Sequence, residues 1–201
     1  MSNGTMIIKR DGSKEHLNID KIHKVVMHAC EGLAGVSASL IEMNANIQFY
    51  DGMSTQEIQE VLIRSANDLI NLDAPNYQYA AARLLAYTLN KQVFGEFNAI
   101  SFYDMINKNI ERSVYDSSIL EMYTKEEIET LDSYIRHKRD ENFTYAGLRQ
   151  VVDKYLVQDR SSDEIFETPQ FMYMMIAATL FANYPKEDRM YYVRRYYDAT
   201  S

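Results

Sequence analysis

The chain has one cysteine, Cys30, no tryptophan, three prolines and seven glycines in 201 residues. One cysteine forbids an internal disulfide and a multi-cysteine zinc site, and it leaves no visible redox chemistry. Nor does any Pro/Gly/Ser-rich linker divide the halves, and no repeat of 20 to 50 residues occurs. Long apolar runs are missing too. The longest, from Phe171 to Ala182, is too short to cross a bilayer, and the N-terminus lacks the apolar centre of a signal peptide, so a cytoplasmic protein is expected. Positive charge is scarce: a formal net charge of -8 argues against a nucleic-acid binder working through a broad basic face. The phosphate-loop, dinucleotide-binding, nucleophile-elbow and HExxH patterns are all absent. None of the four histidines pairs with a cysteine or another histidine at a metal-binding spacing, so surface or helix-face roles are expected for them and no metal residue.

What is present is ordinary globular composition, 46% hydrophobic and 25% charged, enough for a real core in one large domain or two small ones. The most informative stretch is Ile7 to Ile22. Met6 to Arg10 reads as a strand, Asp11-Gly12 as a two-residue hairpin turn with positive φ, and Lys14 to Leu17 as the returning strand. Asn18 then precedes an apolar set at Ile19, Ile22, Val25, Val26, Ala29 and Cys30, with Asp20 in the first turn and Gly32 as the stop, which predicts a helix. Five of the eight Lys and Arg residues up to position 100 fall in the first 24 positions: Lys9, Arg10, Lys14, Lys21 and Lys24. Cations beside a helix N-terminus make an anion site. The same lysines also serve a solvated hairpin by discouraging edge pairing, and charge alone does not separate the two readings.

Downstream, Ser39-Leu40-Ile41-Glu42 predicts a capping box for a short helix ending near Phe49, and Ser54 to Glu57 predicts a second box. The spacing of Ile58, Val61, Leu62, Ser65, Ala66, Leu69 and Ile70 predicts the helix that follows. Asp73-Ala74-Pro75 is expected to open the next helix, with Pro75 in its first turn; Ala80, Ala81, Leu84, Leu85, Thr88 and Leu89 form its inner face and Gly95 ends it. Residues 1 to 96 therefore read as a hairpin on four helices. From 97 on, capping boxes at Ser101 and Thr124, a helix over 145–155 and a second hairpin from Leu156–Gln158 and Glu164–Phe166 are expected. A helix apolar almost all round starts at Thr168-Pro169, and a Tyr-rich helix closes the chain. The fold class is mainly α. By its place on the first helix, Cys30 is a small core residue rather than a nucleophile.

The ordered set K-R-D-G-S-x-E-x-L-N-x-D-K-I, F-Y-D-G-x-x-T, D-A-P-x-Y-Q-Y-x-A-A-R-L and a Lys before F-G resembles the ATP-cone of the large (alpha) subunit of class I ribonucleotide reductase. The resemblance continues through H-K-R-D-x-x-F-T-Y, K-Y-L-V-Q, I-F-E-T-P-Q-F and Y-V-R-R-Y-Y-D, and it is nearest to bacterial and bacteriophage class Ia forms. It implies an allosteric ATP-cone over 1–96 that binds ATP or dATP, with Mg, as activator or inhibitor. Over 97–201 it implies the helical beginning of the catalytic domain, without the barrel and the catalytic cysteines, so that this chain alone is inactive. Carried over by position, Lys9, Arg10, Lys21 and Lys91 are implied triphosphate ligands, Glu15 and Asn18 the adenine-reading pair, and Thr55 a sugar-phosphate contact. His16, Leu17, Ile19 and Asp20 complete that stretch, with Ile7, Leu17, Ile22, Gln59 and Tyr87 as pocket walls. For Lys91 a plainer role also exists, since a cation at a helix C-terminus is favoured by the dipole. The implied partners are the remainder of the alpha subunit, the radical-generating beta subunit and further copies of alpha, with no nucleic acid and no membrane. Two other classes compete. A transcriptional repressor built on the same cone needs a zinc ribbon, which one cysteine excludes; a ligand-free helical assembly module remains, and ATP binding separates it from the first reading.

Overall fold

The computed structural model describes residues 5–201, and the chain divides into two compact units. The first runs through Thr88 and takes in Glu141–Arg149; the second comprises Leu89–Asp140 and Gln150–Ser201.

The first unit begins with the hairpin β1 (Met6–Ile8) and β2 (Lys14–His16), paired antiparallel with Ile7 opposite Glu15. Its turn differs from the expected two-residue form. Lys9 N–H donates to Ser13 O at 2.8 Å and Gly12 N–H to Lys9 O at 2.9 Å, and only Gly12 has a positive φ, +80°. This is a three-residue loop, a type I turn followed by a left-handed glycine, so Asp11 needs no strained backbone. Its carboxylate accepts instead from the Ser13 N–H and hydroxyl.

Helix α1 (Ile19–Cys30) starts at the Asn18 cap and buries Ile22, Val26 and Ala29, while Ile19, expected on that face, is exposed. Helix α2 (Ala38–Asn46) is capped by Ser37, not Ser39. Glu42, the expected partner in the box, instead bonds His23 Nδ1 of α1 at 2.8 Å, so a tertiary contact outweighs the local one. A strand that was not expected, β3 (Met53–Ser54), pairs parallel with β1 and gives the sheet order β2-β1-β3. It leads directly into α3 (Thr55–Asn67), whose Ser54–Glu57 capping box forms as expected. Helix α4 (Tyr77–Phe94) begins two residues after Pro75, which follows the turn that the Asn71 side chain holds through Asp73 and Ala74 N–H. Its alanines at 80, 81, 82 and 86 are buried along with Leu84, Leu85 and Leu89, and small side chains there let neighbouring elements approach closely. Of the later chain, Leu148 is fully buried in this unit.

The second unit contains α5 (Phe102–Glu111), α6 (Ser118–Met122), α7 (Lys125–Tyr134), the start of a 3-10 turn (His137–Asn142), the end of α8 (Tyr145–Lys154), the strands β4 (Gln158–Asp159) and β5 (Glu164–Ile165), α9 (Pro169–Phe181) and α10 (Lys186–Thr200). The 3-10 turn and α6 had no counterpart in the sequence reading. Thr124 forms the full capping box with Glu127, whereas the Asp104 carboxylate returns to the Ser101 hydroxyl rather than to its backbone. Phe171 on α9 stacks on Phe102 at 5.5 Å and meets Phe94 and His137 edge-on. The all-round apolar α9 is thereby largely buried, except for Ile176, Thr179 and Leu180. Arg136 N–H donates to the Tyr197 hydroxyl, which donates to Gln170, which donates to Asp140, so buried Gln170 of α9 and Tyr197 of α10 are joined in one hydrogen-bonded chain.

Candidate functional site

In a strand alternate residues share a face, so the β1/β2 register sets Ile7, Lys9, Glu15 and Leu17 on one side of the hairpin. Ile7 is buried there and so is Met53 beside it on β3, which makes this the helix-covered side. Lys9 and Glu15 stand diagonally across the pair, within reach of long side chains, and Lys9 Nζ lies 2.8 Å from Glu15 Oε2. Lys21, from the first turn of α1, reaches the other oxygen of Glu15 at 3.7 Å. Each charge alters the other. The hydrogen bond from Lys9 holds the Glu15 carboxyl below its usual range, and the bond to Glu15 raises the Lys9 ammonium. All three side chains keep solvent access, so these are loose surface pairs.

The ladder runs one step beyond β2, through Leu17 N–H to Thr5 O at 2.8 Å, and delivers Asn18 to the head of α1. Asn18 Oδ1 accepts from Lys21 N–H at 3.0 Å, which satisfies one of the orphan donors of the first helical turn. On the other side of β1, β3 ends where Thr55 begins α3, so two helix N-termini spring from one small sheet. Asp51 and Gly52 fix that arrangement: Asp51 Oδ1 accepts from Met6 N–H at 2.8 Å, and Gly52 N–H donates to Met6 O at 2.8 Å. The sequence showed Asp51-Gly52 only as a turn; its role in pinning β1 had no local signal.

The structure thus brings Lys9, Glu15, Lys21 and Asn18 into one connected group, with Ile7 buried and Leu17 half-buried beside it. Arg10 and His16 are exposed, Arg10 in the hairpin loop and His16 on the opposite face from Glu15. Ile19 and Asp20 are exposed in the first turn of α1, and Ile22 is buried one turn further. Thr55 and Gln59, four residues apart on α3, are half-buried. Tyr87 on α4 is half-buried against the His28 ring, 5.3 Å between centroids, and burial pushes its hydroxyl up to about 12. Lys91, in the last turn of α4, belongs to the second unit, where its Nζ lies 4.8 Å from the centre of the Phe97 ring.

The far end of α1 is shaped differently. A shallow cavity of about 410 Å³ is lined there by Met27, His28, Cys30, Glu31, Val36 and Ala38, a helix length away from Asn18 and with none of the clustered cations. Cys30 is half-buried, and burial pushes its thiol up to about 11, the opposite of an activated nucleophile. Arg83 of α4, a residue that the sequence reading assigned no role, closes this end: Nη1 donates to Ala29 O at 3.3 Å and Glu31 O at 2.7 Å, and Nε to Glu141 O at 3.5 Å. A cation on the last carbonyls of a helix satisfies orphan acceptors and complements the dipole.

Among the described residues no helix is long and apolar enough to cross a membrane, and no group of three His, Cys, Asp or Glu residues is placed to hold a metal ion. Comparison with known proteins gives two family matches, the ATP cone domain over residues 5–92 and the ribonucleotide reductase all-alpha domain over residues 141–201. The chain is 49% identical to the ribonucleoside-diphosphate reductase 1 subunit alpha of Escherichia coli, over all of this chain and 26% of that protein. It is 47% identical to the subunit alpha of Haemophilus influenzae, over all of this chain and 27% of the relative. Against the subunit alpha of Enterobacteria phage T4 the identity is 41%, over 97% of this chain and 26% of the phage protein. The chain therefore spans about a quarter of the length of these relatives. With an ATP cone domain, an allosteric activity-regulation module, followed by a reductase all-alpha domain, the chain belongs to the ribonucleotide reductase alpha-subunit family.

Proposed function

We propose that the hairpin and the head of α1 bind ATP or dATP as an allosteric effector of ribonucleoside-diphosphate reduction. The observation that carries this reading is the register that sets Lys9 and Glu15 on one face beside the capped start of α1, inside the residues matched to the ATP cone. Lys9, Arg10 and Lys21 take the triphosphate. Thr55 contacts the sugar-phosphate side. Ile7, Leu17, Ile22, Gln59 and Tyr87 form the walls, and Mg²⁺ is carried by the phosphates.

Adenine is read by complementarity. Glu15 accepts from the exocyclic amino group; Asn18, whose oxygen is engaged in the cap, donates from its amide NH₂ to the ring acceptor next to that amino group. Guanine reverses both groups, placing an acceptor before Glu15 and a donor before Asn18. The cost is about 1 to 3 kcal/mol for each polar group left unsatisfied on burial.

At the level of the whole enzyme, this chain supplies the regulatory end of an alpha subunit that reduces ribonucleoside diphosphates in the cytoplasm, with a radical-generating beta subunit and further alpha copies as partners. The ATP cone corresponds to 1–96 and the start of the catalytic domain to 97–201, so the isolated chain reduces no ribonucleotide. Thermal unfolding with ATP tests the reading: a ligand at 100 times its Kd adds about 2.7 kcal/mol of stability. An unchanged melting temperature at millimolar ATP would favour the ligand-free assembly module instead.

A further inference from the structure

We infer that Glu15 is an internal counter-ion of the site, holding Lys9 and Lys21 where a polyphosphate would otherwise sit, and that nucleotide binding exchanges these ion pairs for lysine–phosphate contacts. This rests on the nucleotide-binding reading and adds to it how that site is gated. Glu15 uses its two oxygens on two cations from different elements, Oε2 on Lys9 of the hairpin at 2.8 Å and Oε1 on Lys21 of α1 at 3.7 Å. A carboxylate carries one negative charge and the two ammonium groups carry two positive ones, so the cluster keeps a positive surplus that still attracts a polyanion. The pairs are also weak. With side-chain exposures of 42% for Lys9, 68% for Lys21 and 32% for Glu15, solvent screens them, and a ligand with several negative charges displaces the carboxylate at little cost.

The exchange couples the two halves of recognition. While Lys9 holds Oε2, one acceptor site of the carboxylate is taken; once phosphate takes the lysine, the whole carboxylate is open to accept from an amino group. Phosphate capture and base reading thus draw on one side chain.

Inorganic tripolyphosphate, which has the phosphates but no base, isolates the competition. Its binding is measured by titration calorimetry on the full 201-residue chain in four forms: parent, Glu15→Gln, Lys9→Ala and the double variant. Glu15→Gln is expected to bind tripolyphosphate about two- to fivefold more tightly than the parent, the range set by exposed ion pairs, and this gain is expected to shrink in the Lys9→Ala background. No gain, an equal gain in both backgrounds, or no tripolyphosphate binding by any form overturns the inference. A parallel ATP titration of the parent keeps the outcomes apart. Absence of ATP binding removes the nucleotide reading, whereas ATP binding without the tripolyphosphate pattern removes only the counter-ion role.

Discussion

The side-chain oxygen of Asn18 accepts the backbone N–H of Lys21 at 3.0 Å, so the residue that the resemblance assigns to adenine is also the cap of α1. The two roles separate by substitution. Asn18→Ala is expected to cost about 1 kcal/mol of stability, the usual value of an N-cap, and to weaken ATP binding. Asn18→Ser restores a capping oxygen but has no amide NH₂, so it is expected to recover the melting temperature and not the preference for ATP over GTP. Recovery of both by serine would reduce Asn18 to a cap.

Arg83 holds the opposite end of the same helix. Arg83→Met keeps the apolar stem and removes the donors to Ala29 O and Glu31 O, and the expected loss is about 1.5 to 3 kcal/mol, the range for hydrogen bonds from a charged group. Lysine should recover only part of this, because its single ammonium lacks the planar fork. Chemical denaturation of the three proteins decides; equal midpoints would leave the clamp without energetic weight.

Much of the first unit was legible in the sequence because its signals are local. Asn18 with a three-and-four apolar spacing gives α1, and Ser54 with Glu57 gives the head of α3. Failures occur where distant partners decide. Strand β3 is two residues long and exists only because β1 offers an edge, so no periodicity could mark it. Glu42 has the spacing for a box with Ser39 but is drawn to His23, and the cap moves to Ser37. At the site, clustered cations were visible as local density. That Lys9 and Glu15 share a face depends on the hairpin register, and Arg83 binds carbonyls more than fifty residues away, for which no sequence pattern exists.

In the second unit Arg189 is 3% exposed, donates through Nη2 to both oxygens of Glu127 and lies 4.3 Å from the centre of the Tyr123 ring. Removing Glu127 leaves a buried guanidinium without its counter-charge, so Glu127→Ala is expected to destabilise by about 3 to 5 kcal/mol, and Arg189→Met by less. Burial alone would raise the Glu127 carboxyl, but the bonds from Arg189 and the Thr124 N–H outweigh it and hold the group below its ordinary value. A depressed carboxyl stabilises fully above its unfolded pKa of about 4.3 and loses that contribution as pH falls through the lower folded value. Acid unfolding monitored at several pH values should therefore show a steeper loss below about pH 4.3 for the parent than for Glu127→Gln. Superimposable profiles would contradict the assignment.

Cys30 is expected to be chemically quiet. With its thiol pushed up to about 11, only about one molecule in a thousand carries the thiolate at pH 8, so alkylation of the folded chain should be slow and should accelerate on unfolding. Cys30→Ser should leave ATP binding unchanged. Rapid labelling of the native chain would contradict the burial that accounts for this thiol.

The most direct test of the central claim is competition at the hairpin site, with labelled ATP displaced by unlabelled ATP or GTP on the parent and on Lys9→Ala. ATP is expected to compete with GTP weaker by at least about 1 to 3 kcal/mol, and Lys9→Ala is expected to weaken ATP by about 1.5 to 3 kcal/mol with little change in the melting temperature of the free protein. Equal displacement by GTP and ATP, or an unchanged ATP affinity in Lys9→Ala, would contradict an adenine-reading nucleotide site built on Lys9, Glu15 and Asn18.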